Sequence, residues 1–372
     1  MIIKSDELKQ ICLKILSAVD NNELSILTET LQLKTVNDNL IMSVTNREYF
    51  AQVKLPLSQP ENFYATVNAN LFLKLISQIT TADIQLAMDE TNLIVKGNGT
   101  YKLPLIFDND RLLELPEIVI HNQVKQFVIN SDILNSILQY NSKELLKGTI
   151  SRPVQKLYYV DDKGAITFTS GACVNSFTLS QPIKILINDR IVKLFKLFNN
   201  VDVQVTLGYD NISETITQTK IKFETNDIIL TAVLSCDDTL LNSVPVDAIR
   251  GRANNIYPYS ININKNALLQ TINRLLLFNS NGAKENLKPY SVFEFNSDSV
   301  KIWDVAKVNS ETINYNNTAM TDTYSATLDL IDLKITLENC VEQDLTINFG
   351  DKQAFIIARG NVKNIIPEVK SL

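Results

Sequence analysis

The strongest constraint on this chain is a threefold recurrence along its length. Helix-like segments open near Ser5 (SDELKQICLKILSA), Asn130 (NSDILNSILQYN) and Asn264 (NKNALLQTINRLLLF). Each is headed by Ser or Asn, whose side chain can accept a hydrogen bond from an otherwise unpaired backbone N–H. A second helical segment follows in each third, near Asn68 (NANLFLKLISQI), Asn188 (NDRIVKLFKLF) and Leu328 (LDLIDLKITLENC). Behind each comes a strand with the same opening: Asp83-Ile84-Gln85-Leu86, Asp202-Val203-Gln204-Val205 and Asp344-Leu345-Thr346-Ile347. Between the helices lie alternating runs broken by polar turns, such as LQLKTV-NDN-LIMSV, LYYV-DDKG-AITFT and VFEF-NSDS-VKIW. A unit of two helices and an antiparallel meander is therefore repeated three times. The fold class is α+β, with the helices of each unit on one face of that unit's sheet. Polar connections near Glu117–Gln123 and Arg250–Pro258 divide the chain into residues 1–121, 122–252 and 253–372. One large β-sandwich with insertions is the alternative organisation.

Composition narrows the functions open to such a chain. Its 372 residues are 45% hydrophobic and 20% charged, enough to bury more than one core. It lacks an apolar run of roughly eighteen residues, and Met1-Ile2-Ile3-Lys4-Ser5-Asp6 does not open a signal peptide. These features predict a soluble cytoplasmic protein without membrane contact. His121 is the one histidine, which argues against His-based metal cages. Cys12, Cys173, Cys236 and Cys340 form no C-x-x-C and read as reduced core thiols. P-loop, G-x-G-x-x-G, G-x-S-x-G and H-E-x-x-H motifs are absent, and Lys96-Gly97-Asn98-Gly99 reads as a hairpin turn. Asp161-Asp162 and Asp237-Asp238 fall in turn-like segments and are expected to be solvated rather than catalytic. An enzyme is the weaker class, and no cofactor or metal is expected.

The helix faces carry the remaining signal. Ile191, Leu194, Phe195 and Phe198 fall on one side of their segment and Arg190, Lys193 and Lys196 on the other. Lys74, Ser77 and Gln78 similarly oppose Leu71, Phe72, Leu75, Ile76 and Ile79, while Gln10, Lys14 and Ser17 oppose Leu8, Ile11, Cys12 and Ile15. Gln270 and Arg274 lie opposite Leu268, Ile272 and Leu276. The helical segments hold eleven Lys and Arg against seven Asp and Glu in a chain of net charge −6. Basic helices on an acidic protein suit a concentrated surface for phosphates; a lysine opposite an apolar stripe is also what any solvated helix face presents.

A threefold repeat of two helices and antiparallel strands over this length resembles the bacterial sliding clamp, the β subunit of the replicative DNA polymerase. The resemblance rests on order and spacing: IIKSDELKQICLKIL, VNANLFLKLISQI, DIQLAMDETNLIVKGNGTYKLPL, Leu115-Pro116, AITFTSGACV, INRLLLF and the closing Ile365-Ile366-Pro367. Two segments depart from the family. Thr169-Ser170-Gly171-Ala172-Cys173-Val174 stands where T-D-G-H-R-L is usual, and Ile366-Pro367-Glu368-Val369 replaces a methionine-rich tail.

The resemblance implies a non-catalytic DNA-clamp fold of three repeated domains. Two subunits would close head to tail into a ring around double-stranded DNA, tethering a replicative DNA polymerase and meeting a clamp loader. By that resemblance Lys14, Lys74, Lys147, Arg152, Arg190, Lys193, Lys196 and Arg274 face DNA. Thr169, Gly171, Val174, Leu240, Val244, Pro245, Ile365, Ile366 and Pro367 form a partner-peptide pocket. Leu277 and Phe278, off the apolar stripe of their helix, meet the strand bearing Tyr101, Leu103 and Leu105 in the dimer interface. A clamp-like protein-binding adaptor without a replication role is the alternative.

Overall fold

The hairpins form where their turn residues permit them. Thr30–Val36 pairs antiparallel with Asn39–Thr45, closing at Val36 opposite Asn39. The connecting Asn37 and Asp38 have φ of 45° and 60°, left-handed values that Asn and Asp tolerate better than most residues. Leu157–Asp161 closes on Gly164–Phe168, Tyr290–Phe295 on Ser299–Trp303, and Asn92–Lys96 on Thr100–Pro104, all as read from the sequence. The computed structural model describes residues 1–20, 25–147, 150–213, 217–235, 237–280, 289–304, 306–315 and 320–369. Its α-helices are α1 (Ser5–Leu16), α2 (Ala69–Gln78), α3 (Ser131–Ser136), α4 (Ser142–Leu145), α5 (Asp189–Lys193), α6 (Asp238–Asn242), α7 (Val246–Ala253), α8 (Lys265–Ser280) and α9 (Leu330–Glu338).

The chain divides into two compact units, one of residues 1–135 with 190–236 and the other of residues 136–189 with 237–372. The first unit holds a four-stranded sheet in the order Ile2–Lys4, Asp83–Met88, Asn92–Lys96, Thr100–Pro104. Its eight-stranded sheet runs Asn122–Asn130, Asp202–Asn211, Thr217–Glu224, Ile228–Val233, Tyr49–Pro56, Asn39–Thr45, Thr30–Val36, Tyr64–Asn68. The second unit has an eight-stranded sheet in the order Lys184–Asn188, Leu157–Asp161, Gly164–Phe168, Ala172–Ser176, Val362–Pro367, Ala354–Arg359, Asp344–Phe349, Tyr259–Asn264. Its four-stranded sheet runs Ser310–Asn314, Ser299–Trp303, Tyr290–Phe295, Tyr324–Asp329.

This topology corrects the expectation of a separate sheet for every third. The strands between residues 122 and 233 are shared out: four extend a sheet of the first third and four extend a sheet of the last. The seams are ordinary antiparallel pairings, Leu230 opposite Ala51 in one unit and Ala172 opposite Ile365 in the other. A strand edge left open exposes a row of unpaired N–H and C=O groups, and the neighbouring repeat satisfies that row.

The helices bury the faces their periodicity predicts, with one exception. Leu8, Ile11, Cys12 and Ile15 of α1 are buried, as are Phe72, Leu73 and Ile76 of α2. Leu71, expected on the apolar side, is 50% exposed in the first turn of α2. The segment at residues 188–198 keeps its predicted faces, but α5 tightens into a 3₁₀ turn at Leu194–Leu197. An aromatic cluster fills the second unit, where the Phe295 and Phe349 rings lie 4.3 Å apart and those of Phe349 and Phe355 5.0 Å.

Cys12, Cys173 and Cys340 are free and buried, and Cys236 lies outside the described residues. Burial pushes the Cys12 and Cys173 thiols up to about 12, which leaves them protonated and inert. The reading of Asp161 as a solvated turn residue is corrected: it is 4% exposed and chelated by Arg250. Asp237 instead caps α6, its carboxylate accepting from the Leu240 N–H at 2.7 Å.

Candidate peptide groove and DNA-facing helices

An apolar groove on the second unit is built around a glycine. At Gly171 a Cβ would stand 2.3 Å from the Ile365 carbonyl oxygen. Only glycine lets the turn at residues 169–171 approach the closing strand this closely. The resulting cavity, about 270 Å³, is lined by Thr169, Gly171, Pro245, Ile365 and Pro367, five of the nine residues assigned to it from sequence. The other four are placed elsewhere. Ile366 is 1% exposed and points into the aromatic core, because neighbouring strand residues face opposite sides of a sheet. Val174 and Val244 are also buried, and Leu240 is half-buried on α6 outside the lining.

The sequence reading missed the wall that α7 supplies. Pro245, Ala248, Ile249 and Arg252 line the groove at a helical spacing, and Phe168, Ala172, Gln353 and Ala354 complete it. That spacing is the available signal, and it runs into the polar connection at Arg250–Pro258 that reads as a domain joint.

A polar network holds the groove loop from behind. Thr169 Oγ1 donates to the Glu144 carbonyl at 3.1 Å and to Glu144 Oε1 at 3.0 Å, while Ser170 Oγ donates to Asp332 Oδ2 at 2.6 Å. Glu144 Oε2 is 2.8 Å from Lys147 Nζ, and Lys147 also donates to Thr336 Oγ1. Lys147 is 1% exposed. It is thus a core ion-pair residue, correcting its assignment to the DNA face. A buried lysine of this kind requires a paired carboxylate, and Glu144 three residues earlier on the same turn provides it.

A second ion pair fixes α7 to the sheet. Arg250 donates to both Asp161 oxygens, at 2.7 and 2.6 Å. Burial by itself would raise the Asp161 carboxyl, but the Arg250 guanidinium and the Lys163 N–H outweigh it and hold the group below its usual range.

The other cations assigned to DNA all reach the surface, and two of them have acidic neighbours within ion-pair distance. Lys14, Lys74, Arg152, Lys193 and Lys196 are exposed. Arg190 lies 3.7 Å from Asp20 and 3.5 Å from Glu48, and Arg274 is held by Glu311 through bonds of 2.7 and 2.6 Å. Those two charges are partly offset by acidic neighbours, within the first and second units respectively. The interface residues divide as well. Leu277 and Phe278 are 63% and 54% exposed and Tyr101 is 37% exposed, whereas Leu103 and Leu105 are buried beneath their own sheet. These two leucines are corrected from surface to core. Their strand nevertheless ends its sheet, as does Ser310–Asn314 in the second unit.

Residues 1–110 match the family described as DNA polymerase III beta subunit, N-terminal domain. The DNA polymerase sliding clamp from Bacillus subtilis superposes with a TM-score of 0.76 at 14% identity, covering 100% of this chain and 99% of that one. The chain has the sliding-clamp fold. The sliding clamp (DNA polymerase III subunit beta) from Pseudomonas aeruginosa bound to griselimycin gives 0.79 at 13% identity, again over 100% and 99% of the two chains. The DNA polymerase III beta subunit from Thermotoga maritima gives 0.77 at 10% identity over the same shares. No curated protein matches the chain. The clamp fold therefore persists here with little of the clamp sequence left. Among the described residues, no helix is long and apolar enough to cross a membrane.

Proposed function

We propose that this chain works as a DNA sliding clamp: a non-catalytic homodimeric ring that encircles duplex DNA and tethers a replicative polymerase for processive synthesis. The observation that carries this reading is the match of fold over the entire chain, together with the family match of its first 110 residues. Two sheet edges support ring closure. Thr100–Pro104 in the first unit and Ser310–Asn314 in the second each end a four-stranded sheet, and Tyr101, Leu277 and Phe278 are exposed apolar side chains for the joint. The three-domain division, the clamp loader as a partner and a cytoplasmic setting belong to the same proposal.

A ring is retained topologically, so its lining needs only weak, sequence-independent attraction to phosphates. Exposed Lys14, Lys74, Arg152, Lys193 and Lys196 are suited to that task. A polymerase segment docked in the α7 groove would turn repeated rebinding into an intramolecular event. Closed rings in negative-stain electron microscopy, with polymerase stimulation on primed circular DNA, are the expected results. The triple variant Lys14→Glu, Lys74→Glu, Lys196→Glu should keep its melting temperature and lose stimulation. Monomeric particles without a central hole would remove encirclement.

Compensation of Arg190 and Arg274 by neighbouring acids favours one second reading, a clamp-shaped protein-binding adaptor. It predicts groove-dependent peptide binding without any stimulation of synthesis.

A further inference from the structure

The groove beside α7 is apolar except for one end. Among its described lining residues, Arg252 is the only charged one. The two arginines of α7 differ sharply in their partners. Arg250 is neutralised by both oxygens of the buried Asp161, whereas the Arg252 guanidinium donates to the neutral amide oxygen of Gln353. Gln353 Oε1 accepts that bond, so the amide nitrogen is a second donor beside the guanidinium. The two hydroxyls of the lining are turned away from a ligand, since Thr169 and Ser170 donate inward to Glu144 and Asp332. An apolar trough thus ends in a charge with no carboxylate among its described lining residues, flanked by a neutral donor.

We propose that the groove selects an extended partner segment carrying an internal Asp or Glu next to its apolar anchors, with the carboxylate held by Arg252 and Gln353. This inference rests on the groove being the partner-peptide site. Guanidinium and carboxylate are matched in shape and charge, and a half-buried setting strengthens the pair beyond an exposed one. The acidic residue is internal rather than a chain end because the surface continues past Arg252. Asn254 and Asn255 are exposed and Ile256 is 92% exposed, leaving a path and an apolar rest for further residues of the segment.

The test uses a random octapeptide library with free C-termini, panned on the full chain, followed by fluorescence anisotropy with the selected peptides. Selected peptides should carry an internal acid beside aliphatic or aromatic residues. Changing that acid to its amide, or Arg252→Gln in the protein, should each weaken binding roughly tenfold, with little further loss when combined. Ala248→Trp, which fills the trough from an exposed helix position, should abolish binding. Binding lost in Ala248→Trp but unchanged in Arg252→Gln would overturn the carboxylate inference while leaving the groove in place. Loss on amidating the C-terminus, without loss on changing the internal acid, would overturn the internal source. Peptides indifferent to Ala248→Trp would overturn the groove itself.

Discussion

The helices of the two units solve the same packing problem with different chemistry. In the first, α1 and α2 lay Leu8, Ile11, Ile15, Phe72, Leu73 and Ile76 against the strands, and their lysines stay in water. In the second, the turn through α4 and the face of α9 bury Glu144, Lys147, Asp332 and Thr336. An apolar interface holds with any complementary shape. A buried ion pair holds only when every partner is present, and here it anchors the loop that forms the groove. The second unit has thus exchanged tolerance for fixed geometry behind its candidate binding site.

The largest expected effect breaks this contrast at its centre. Lys147→Met leaves the Glu144 carboxylate buried without its charge partner and should cost about 3–5 kcal/mol in denaturant unfolding. Adding Glu144→Gln should restore much of that loss, because the lone buried charge is then gone. A double variant no more stable than the single one would show that the pair is stabilising beyond mutual neutralisation.

Asp161→Asn sharpens the comparison at the other buried pair and should cost about 3 kcal/mol near neutral pH. The folded Asp161 carboxyl lies below its unfolded value, so its contribution is present above about pH 4 and lost as pH falls through the folded value. Unfolding curves of the two proteins should therefore converge in acid. A stability gap that stays constant down to the acid limit would remove Arg250 as the cause.

The smallest effect belongs to the first unit. Lys74→Ala on the exposed face of α2 should change stability by less than about 0.5 kcal/mol. A loss comparable with that of Lys147→Met would mean that the two units do not differ as described.

The contrast also marks what could be read in advance. Hairpin registers followed from local turn chemistry, as at Asn37-Asp38, and helix faces followed from periodicity in α1 and α2. The groove was half legible. Thr169, Gly171, Pro245, Ile365 and Pro367 came from resemblance to a known family, whereas Arg252 and the α7 wall did not. Of the residues misplaced to the surface, Lys147 is paired locally by Glu144 but is enclosed with Thr336 from a segment remote in sequence. Leu103 and Leu105 lie buried at the end of a strand whose alternation does not say which face is covered.

The sequence by itself determined the threefold repeat, the α+β class and the alternation of buried and exposed positions, because these depend on neighbours within one turn or one hairpin. Tertiary structure decided which repeat completes each sheet and where Glu144 finds Thr169 and Lys147 finds Thr336. A strand edge accepts any antiparallel partner in register, and a lysine is equally suited to water and to a buried carboxylate. Only the packed chain chooses between them.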